Sequence, residues 1–229
     1  MLRAGSGEET QARLASEQLL RLYLKPLQTF LVRARGIDPV EAEDLLNGFV
    51  ADKLLEKALI AAADPQKGKF RTFLLHALDR YLTDRYRHSS RQRRSAGMRS
   101  ISLDGVKPAD WSSEPQRQFE VEWARQVVAR ALEHMHVECD AGGRTDVWAV
   151  FDGRIIGPTL HARQPTSYSE LVEHLRLEST DQASNLLVTA KRMFHRALRQ
   201  IISEYARDES EIDQEIVELE EILSGTSRR

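Results

Sequence analysis

The chain has 229 residues, with 41% hydrophobic residues, 30% charged residues and a formal net charge of −2. That balance excludes wholesale disorder and a polycation, so any binding to nucleic acid must come from local basic patches. The lone Cys139 excludes an internal disulfide and a cysteine-based zinc cluster, while a polar N-terminus and the lack of any apolar run near ~20 residues point to a cytoplasmic, non-membrane chain.

Apolar residues recur at helical spacing and strand-like alternation is nearly absent, so the expected fold class is all-α. The expected organisation is a helical domain over 11–94, a linker over 95–118, a helix-turn-helix domain over 119–205 and an acidic extension over 206–229. Leu20, Leu24, Leu27 and Leu31 form the first stripe, which Pro26 is expected to break or kink. Gly36 suits a helix end. Asp38-Pro39-Val40-Glu41 then reads as a helix start, with Asp38 as N-cap, Pro39 at the first helical position and Glu41 closing a capping box. That helix runs through Leu46, Phe49, Val50 and Leu54, before punctuation at Asp64-Pro65 and Gly68.

Phe70, Phe73, Leu74, Ala77, Leu78, Tyr81 and Leu82 mark the most regular apolar stripe in the chain. Arg71, His76, Arg80 and Thr83 are expected on its polar face, and Arg85, Tyr86, Arg87, His88, Arg91, Arg93 and Arg94 follow. Glycine, proline and serine punctuate 95–118, where Ile101, Leu103 and Trp111 suggest docking. Phe119, Trp123, Val127, Ala131, Leu132 and Met135 open the second helical block. A loop at Gly142-Gly143, a short helix over Thr145–Asp152 and a loop at Arg163–Pro165 come next. Ser167 and Glu170 form a capping box opening a helix through Leu175, and Ser179 starts a long helix to about Tyr205. A short helix, a turn and a longer helix outline a helix-turn-helix. Ala183, Leu187, Ala190, Phe194 and Leu198 form its buried stripe. Ile212, Ile216, Leu219 and Leu223 make the last segment an amphipathic helix with an acidic face.

The basic segment carries the first chemistry. Arginines supply the phosphate-dependent part of nucleic-acid affinity, and tyrosines can stack on unpaired bases at ~1–3 kcal/mol per base. That mixture suits a strand being separated, although Tyr81 also falls on the core stripe. On the long second helix, Gln182, Ser184 and Asn185 occupy the turns that meet base edges, with Lys191, Arg192, Arg196 and Arg199 further along. His134, His136 and Cys139 have poor spacing for a metal site. No phosphate-cradling glycine loop, nucleophile elbow or His-Glu-x-x-His pair is present, so neither an enzyme, a cofactor nor a small-molecule substrate is expected.

Three segments also carry a family resemblance. "EAEDLLNGFVADKLL" (Glu41–Leu55), "KFRTFLLHALDRYLTDRYRHSSRQRR" (Lys69–Arg94) and "YSELVEHLRLESTDQASNLLVTAKRMFHRALRQII" (Tyr168–Ile202) resemble, in order and spacing, sigma factors of the extracytoplasmic-function (ECF) type, closest in phrasing to the divergent planctomycete-like subgroup. The resemblance implies a transcription initiation factor whose partners are core RNA polymerase and promoter DNA. Asp44, Asn47 and Asp52 would bind polymerase, with Asn47 in place of the more usual glutamine and Phe49 as core. Arg80, Asp84, Arg85, Arg87, Arg91, Arg93 and Arg94 would melt and hold the downstream promoter box, with Arg80 where the family usually has asparagine. Gln182, Ser184, Asn185, Lys191, Arg192 and Arg196 would read the upstream box. An anti-sigma factor, or the chain's own C-terminal helix, is the candidate inhibitor. In the second case Leu186 and Val188 would pack against the Ile212/Ile216/Leu219 helix, whose acidic face would shield the basic surface of the first domain. Two other readings stand beside this one: a helix-turn-helix regulator without polymerase binding, and a metal-dependent nucleic-acid enzyme using His134 and His136.

Overall fold

The computed structural model of the protein describes residues 22–54, 69–95, 113–206 and 208–226. Leu20, Asp64-Pro65, Gly68, Ile101, Leu103 and Trp111 lie outside the described residues, as do the side chains of Arg91, Arg93 and Arg94. Every regular element among the described residues is helical, as the periodicity requires, and none of these helices is long and apolar enough to cross a membrane. The chain divides into two compact units, Met1–Trp123 and Ala124–Arg229.

In the first unit, helix α1 (22–29) widens into a π-helical turn over Phe30–Ala34. The expected break at Pro26 does not occur: the helix runs through it. Pro26 is buried within it, and the stripe of Leu22, Tyr23, Leu27, Phe30 and Leu31 holds the helix through the missing backbone donor. Gly36 then turns the chain with φ +64°, and the Ile37 N–H reaches back to the Leu31 carbonyl at 3.1 Å. Helix α2 (Pro39–Phe49) starts as expected, with Pro39 at its first position and the Asp38 carboxylate accepting from the Val40 N–H at 2.9 Å. The full capping box does not form: Asp38 caps the second helical residue, and no bond returns to it from Glu41. The helix buries Ala42, Leu45, Leu46 and Phe49, then continues as a π-helical turn over Val50–Leu54.

Helix α3 (Phe70–Ser95) packs on α2. Its buried face is rotated from the expected stripe. Leu74, Leu75, Leu78, Tyr81 and Leu82 are buried, whereas Phe70, Phe73 and Ala77 are only half-buried. Arg71, expected on the polar face, is 5% exposed, with its guanidinium 4.3 Å from the centre of the Trp123 ring. A desolvated arrangement of this kind contributes about 2 kcal/mol, which offsets part of the cost of burying the cation. Edge-on contact of Tyr23 with Phe70 at 5.5 Å and a tilted contact of Phe49 with Tyr81 at 5.5 Å tie α3 to α1 and α2. Helix α4 (Ser113–Ala141) begins inside the segment expected to be linker, because Glu114 and Pro115 both suit a first helical turn.

The second unit contains the rest of α4, then α5 (Thr145–Phe151), a π-helical turn over Asp152–Ile156, α6 (Gly157–Leu160), α7 (Tyr168–Leu175), α8 (Thr180–Ser203) and α9 (Glu209–Thr226). The expected short helix therefore runs on in helical turns to Leu160, with Ile156 and Gly157 buried. Helices α5, α7 and α9 all pack on α8. Its apolar face, Ala183, Leu187, Ala190, Met193, Ala197, Leu198, Ile201 and Ile202, is the spine of this core.

The α2–α3 contact leaves no room at Gly48. A Cβ there would lie 2.7 Å from the Tyr81 hydroxyl and 2.9 Å from Arg85 Nη1. Alanine gains about 1 kcal/mol of helix propensity but loses about 1–3 kcal/mol to overpacking, so Gly48→Ala is expected to destabilise the first unit. Combined with Tyr81→Phe, which removes the obstructing oxygen, the same change is expected to become neutral or stabilising. Denaturant unfolding of the two single variants and the double variant measures this coupling.

Candidate nucleic-acid interface

The expected site residues of the first unit fall on two exposed helix faces flanking one part-buried contact. At that contact the Tyr81 hydroxyl donates to Asp52 Oδ2 at 3.3 Å and accepts from Arg85 Nη1 at 2.8 Å. Asp52 and Arg85 are thus engaged in holding α2 and α3 together. A second tie joins α1 to α3: Arg35 pairs with Asp79, both side chains being largely buried, and lies 5.4 Å from the Phe30 ring. Burial lowers the pKa of the Arg35 guanidinium. Thr83 adds a hydroxyl bond to the Asp79 carbonyl at 3.0 Å.

Outside these contacts, α2 presents Val40, Glu43, Asp44 and Asn47 to solvent, while Phe49 is fully buried as expected. Helix α3 exposes Arg80, Asp84, Arg85 and Arg87. His76, Asp79, Arg80, Thr83, Asp84 and Arg87 line an open groove of about 550 Å³, their three- and four-residue spacing placing them on one helix face. Arg35 already compensates Asp79, so Arg80 and Arg87 outweigh the remaining Asp84 charge and the groove is electropositive. Helix α3 continues to Ser95, beyond Asp84 and Arg87, and carries positions 91, 93 and 94 on helical backbone. Tyr86 is half-buried, and its phenol is pushed up by burial first and then by the Glu41 carboxylate, with Arg85 opposing.

In the second unit, α7, a turn and α8 have the expected helix-turn-helix order. The Ser167 hydroxyl accepts from the Glu170 N–H at 3.2 Å while Glu170 accepts from the Ser167 N–H at 2.7 Å, a complete capping box. Arg176 ends α7 in the left-handed region with φ 54°. Ser179 caps α8 by accepting from the Gln182 N–H at 3.1 Å. The Gln182 side chain accepts from the Glu178 N–H at 2.6 Å, so it fixes the turn. Ser184 is half-buried, and Asn185, Thr189, Lys191, Arg192 and Arg196 are exposed. Arg196 pairs with Glu138 of α4 at 2.5 Å. Arg199 is held by Glu209 and Asp213 of α9, and the hydrogen bonds it donates, to Asp213 first and then to Glu209, raise its pKa. Ile212, Ile216 and Leu219 bury α9's apolar face, but Val188 stays 45% exposed, so α9 does not cover that residue as expected, while Leu186 is half-buried.

Two of the candidate metal residues, His136 and Cys139, have separate surroundings. His136 stacks on Trp148 at 4.2 Å and faces Asp140 at 3.6 Å, while Cys139 is buried with its thiol pushed up mainly by that burial. Among the described residues, no three ligating side chains group together. Comparisons of the chain with protein-family models, with curated proteins and with solved structures give no match.

Hydrogen bonds to the Glu170 carboxylate, from the Ser167 backbone N–H first and then from the Ser167 side chain, hold its carboxyl below the ordinary value. A lowered folded pKa means that this contribution is present above the unfolded value and is lost as pH falls through the folded one. The difference in thermal stability between the protein and Glu170→Gln is therefore expected to shrink in acid and vanish below the carboxylate range, as a melting series across pH would record.

Proposed function

We propose that this protein is a transcription initiation factor of the sigma type, acting in the cytoplasm on core RNA polymerase and promoter DNA. Asp44 and Asn47 are the polymerase contacts. The groove face of α3, with Arg80, Asp84 and Arg87, takes the separated strand of the downstream box, and positions 91, 93 and 94 extend it. Helices α7 and α8 meet the upstream box, with Asn185 and Ser184 toward base edges and Lys191 and Arg192 toward phosphates. Asp52, Arg85 and Gln182 act indirectly, by holding the helices that carry these groups.

One observation carries this reading: α2 and α3 are locked to each other through Asp52, Tyr81 and Arg85, yet each keeps a separate exposed polar face. Polar groups on rigid helices with no task in the core are suited to binding a partner. An exposed acidic and amide face fits a basic helix of a protein partner. An electropositive groove fits a phosphate backbone. A helix-turn-helix regulator that ignores polymerase is the second reading, favoured by the self-contained capping of α7 and α8, which needs nothing from the first unit.

Mixing the full chain with core RNA polymerase separates the two. Co-elution is expected, and Asp44→Arg is expected to weaken it by at least about tenfold, since a like charge placed in an interface costs several kcal/mol. No co-elution, or indifference to Asp44→Arg, would leave the regulator reading.

A further inference from the structure

Glu138 stands in the last turn of α4 and joins residues distant in sequence. Its Oε1 atom accepts from Arg144 Nη2 at 3.1 Å and from Arg196 Nη2 at 2.5 Å. Two guanidinium groups converging on one anionic oxygen is the arrangement with which arginines bind a phosphate. Arg192 lies one turn before Arg196, on the same face of α8, exposed and without an ion pair among the described residues. The contact itself thus joins two guanidinium groups on one carboxylate, with Arg192 one helical turn away and the Asp140 and Asp146 carboxylates close enough to act on the neighbouring Cys139.

Arg199 and Arg130 of this unit are engaged differently, whereas Arg163 pairs with Asp152 at 3.0 Å with its side chain nearly as open to solvent as that of Arg196. Arg199 is gripped by two carboxylates of α9 with its side chain 29% exposed, and Arg130 pairs with Glu204 at 3.1 Å. The Arg196 side chain is 60% exposed, and its partner Glu138 is 31% exposed. Water therefore reaches both groups, and the pair can exchange for an outside anion. Arg196 lies about 24 Å along the helix from Thr180, beyond the base-reading turns, where a bound duplex offers backbone rather than base edges.

We propose that Glu138 is an internal counter-ion occupying a backbone-phosphate site formed by Arg144 and Arg196, with Arg192 beside it. Nucleic acid bound to this unit displaces the carboxylate, and Glu138 sets how tightly the phosphate is held. The proposal rests on the nucleic-acid reading of α7 and α8 but not on polymerase binding.

The test uses the full chain and Glu138→Gln, which keeps the shape and removes the charge. Binding to a short mixed-sequence duplex is measured across salt concentration. Glu138→Gln is expected to bind roughly tenfold more tightly at low salt, the order of one charge-assisted contact, with the salt slope steeper by about 0.9. Arg196→Ala in the same background is expected to erase the gain, and Glu220→Gln, an equal charge change on α9, to produce none. Unchanged affinity and slope, or a gain that survives Arg196→Ala, would overturn the proposal. Retention on immobilised heparin separates its failure from that of the functional reading, because heparin requires only a polyanion site. Later elution of Glu138→Gln supports the counter-ion even if no DNA is bound, and identical elution rejects it.

Discussion

The Tyr81 hydroxyl occupies the space where any residue but glycine at position 48 would place its Cβ, and the first unit is arranged around that approach. With no side chain at Gly48, α2 and α3 come close enough for one oxygen to accept from Arg85 and donate to Asp52. Those two bonds satisfy a tyrosine that Phe49 and its own α3 neighbours otherwise bury. They also fix the rotation of α3 about its axis. Once that rotation is set, Leu74, Leu75, Leu78 and Leu82 must point inward, and Arg80, Asp84 and Arg87 must point to solvent. The Arg35–Asp79 pair reinforces the same setting from α1 and leaves the arginines of the groove as its dominant charge.

How much of this could be read from residues alone depends on range. The helix start at Asp38-Pro39 and the capping box of Ser167 and Glu170 are local, with donor and acceptor within a few positions, and spacing alone reveals them. The all-helical class and the exposure of Asp44, Asn47, Arg80 and Arg87 follow from periodicity for the same reason. Arg71 defeats that kind of reading. Its burial depends on Trp123, far along the chain, and only the run Arg71, Leu74, Leu75, Leu78 hints that the buried face is rotated by part of a turn. The task of Gly48 is equally hidden, since its constraint is the hydroxyl of a residue on another helix.

In the second unit the long helix α8 divides along its length. Its first turns are fixed by caps, which assign Gln182 to the turn and leave Asn185 and Thr189 outward. Its later turns are crossed by carboxylates from elsewhere: Glu138 onto Arg196, then Glu209 and Asp213 onto Arg199. A count of basic residues along the helix therefore overstates the charge available to a ligand. Helix α9 adds Ile212, Ile216 and Leu219 to the buried apolar surface, which makes the acidic extension a packed part of this unit.

In the function proposed for this protein, the outward face of α3 holds a separated DNA strand while α2 engages polymerase. The most direct measurement is the fluorescence of a base analogue placed in the downstream box of a promoter, followed as the protein and core RNA polymerase are added. A rise is expected as the base unstacks, with its loss in Arg80→Glu combined with Arg87→Glu while co-elution with polymerase persists. A rise of equal size in that variant, or no rise with the unaltered protein in a complex that does form, would contradict it.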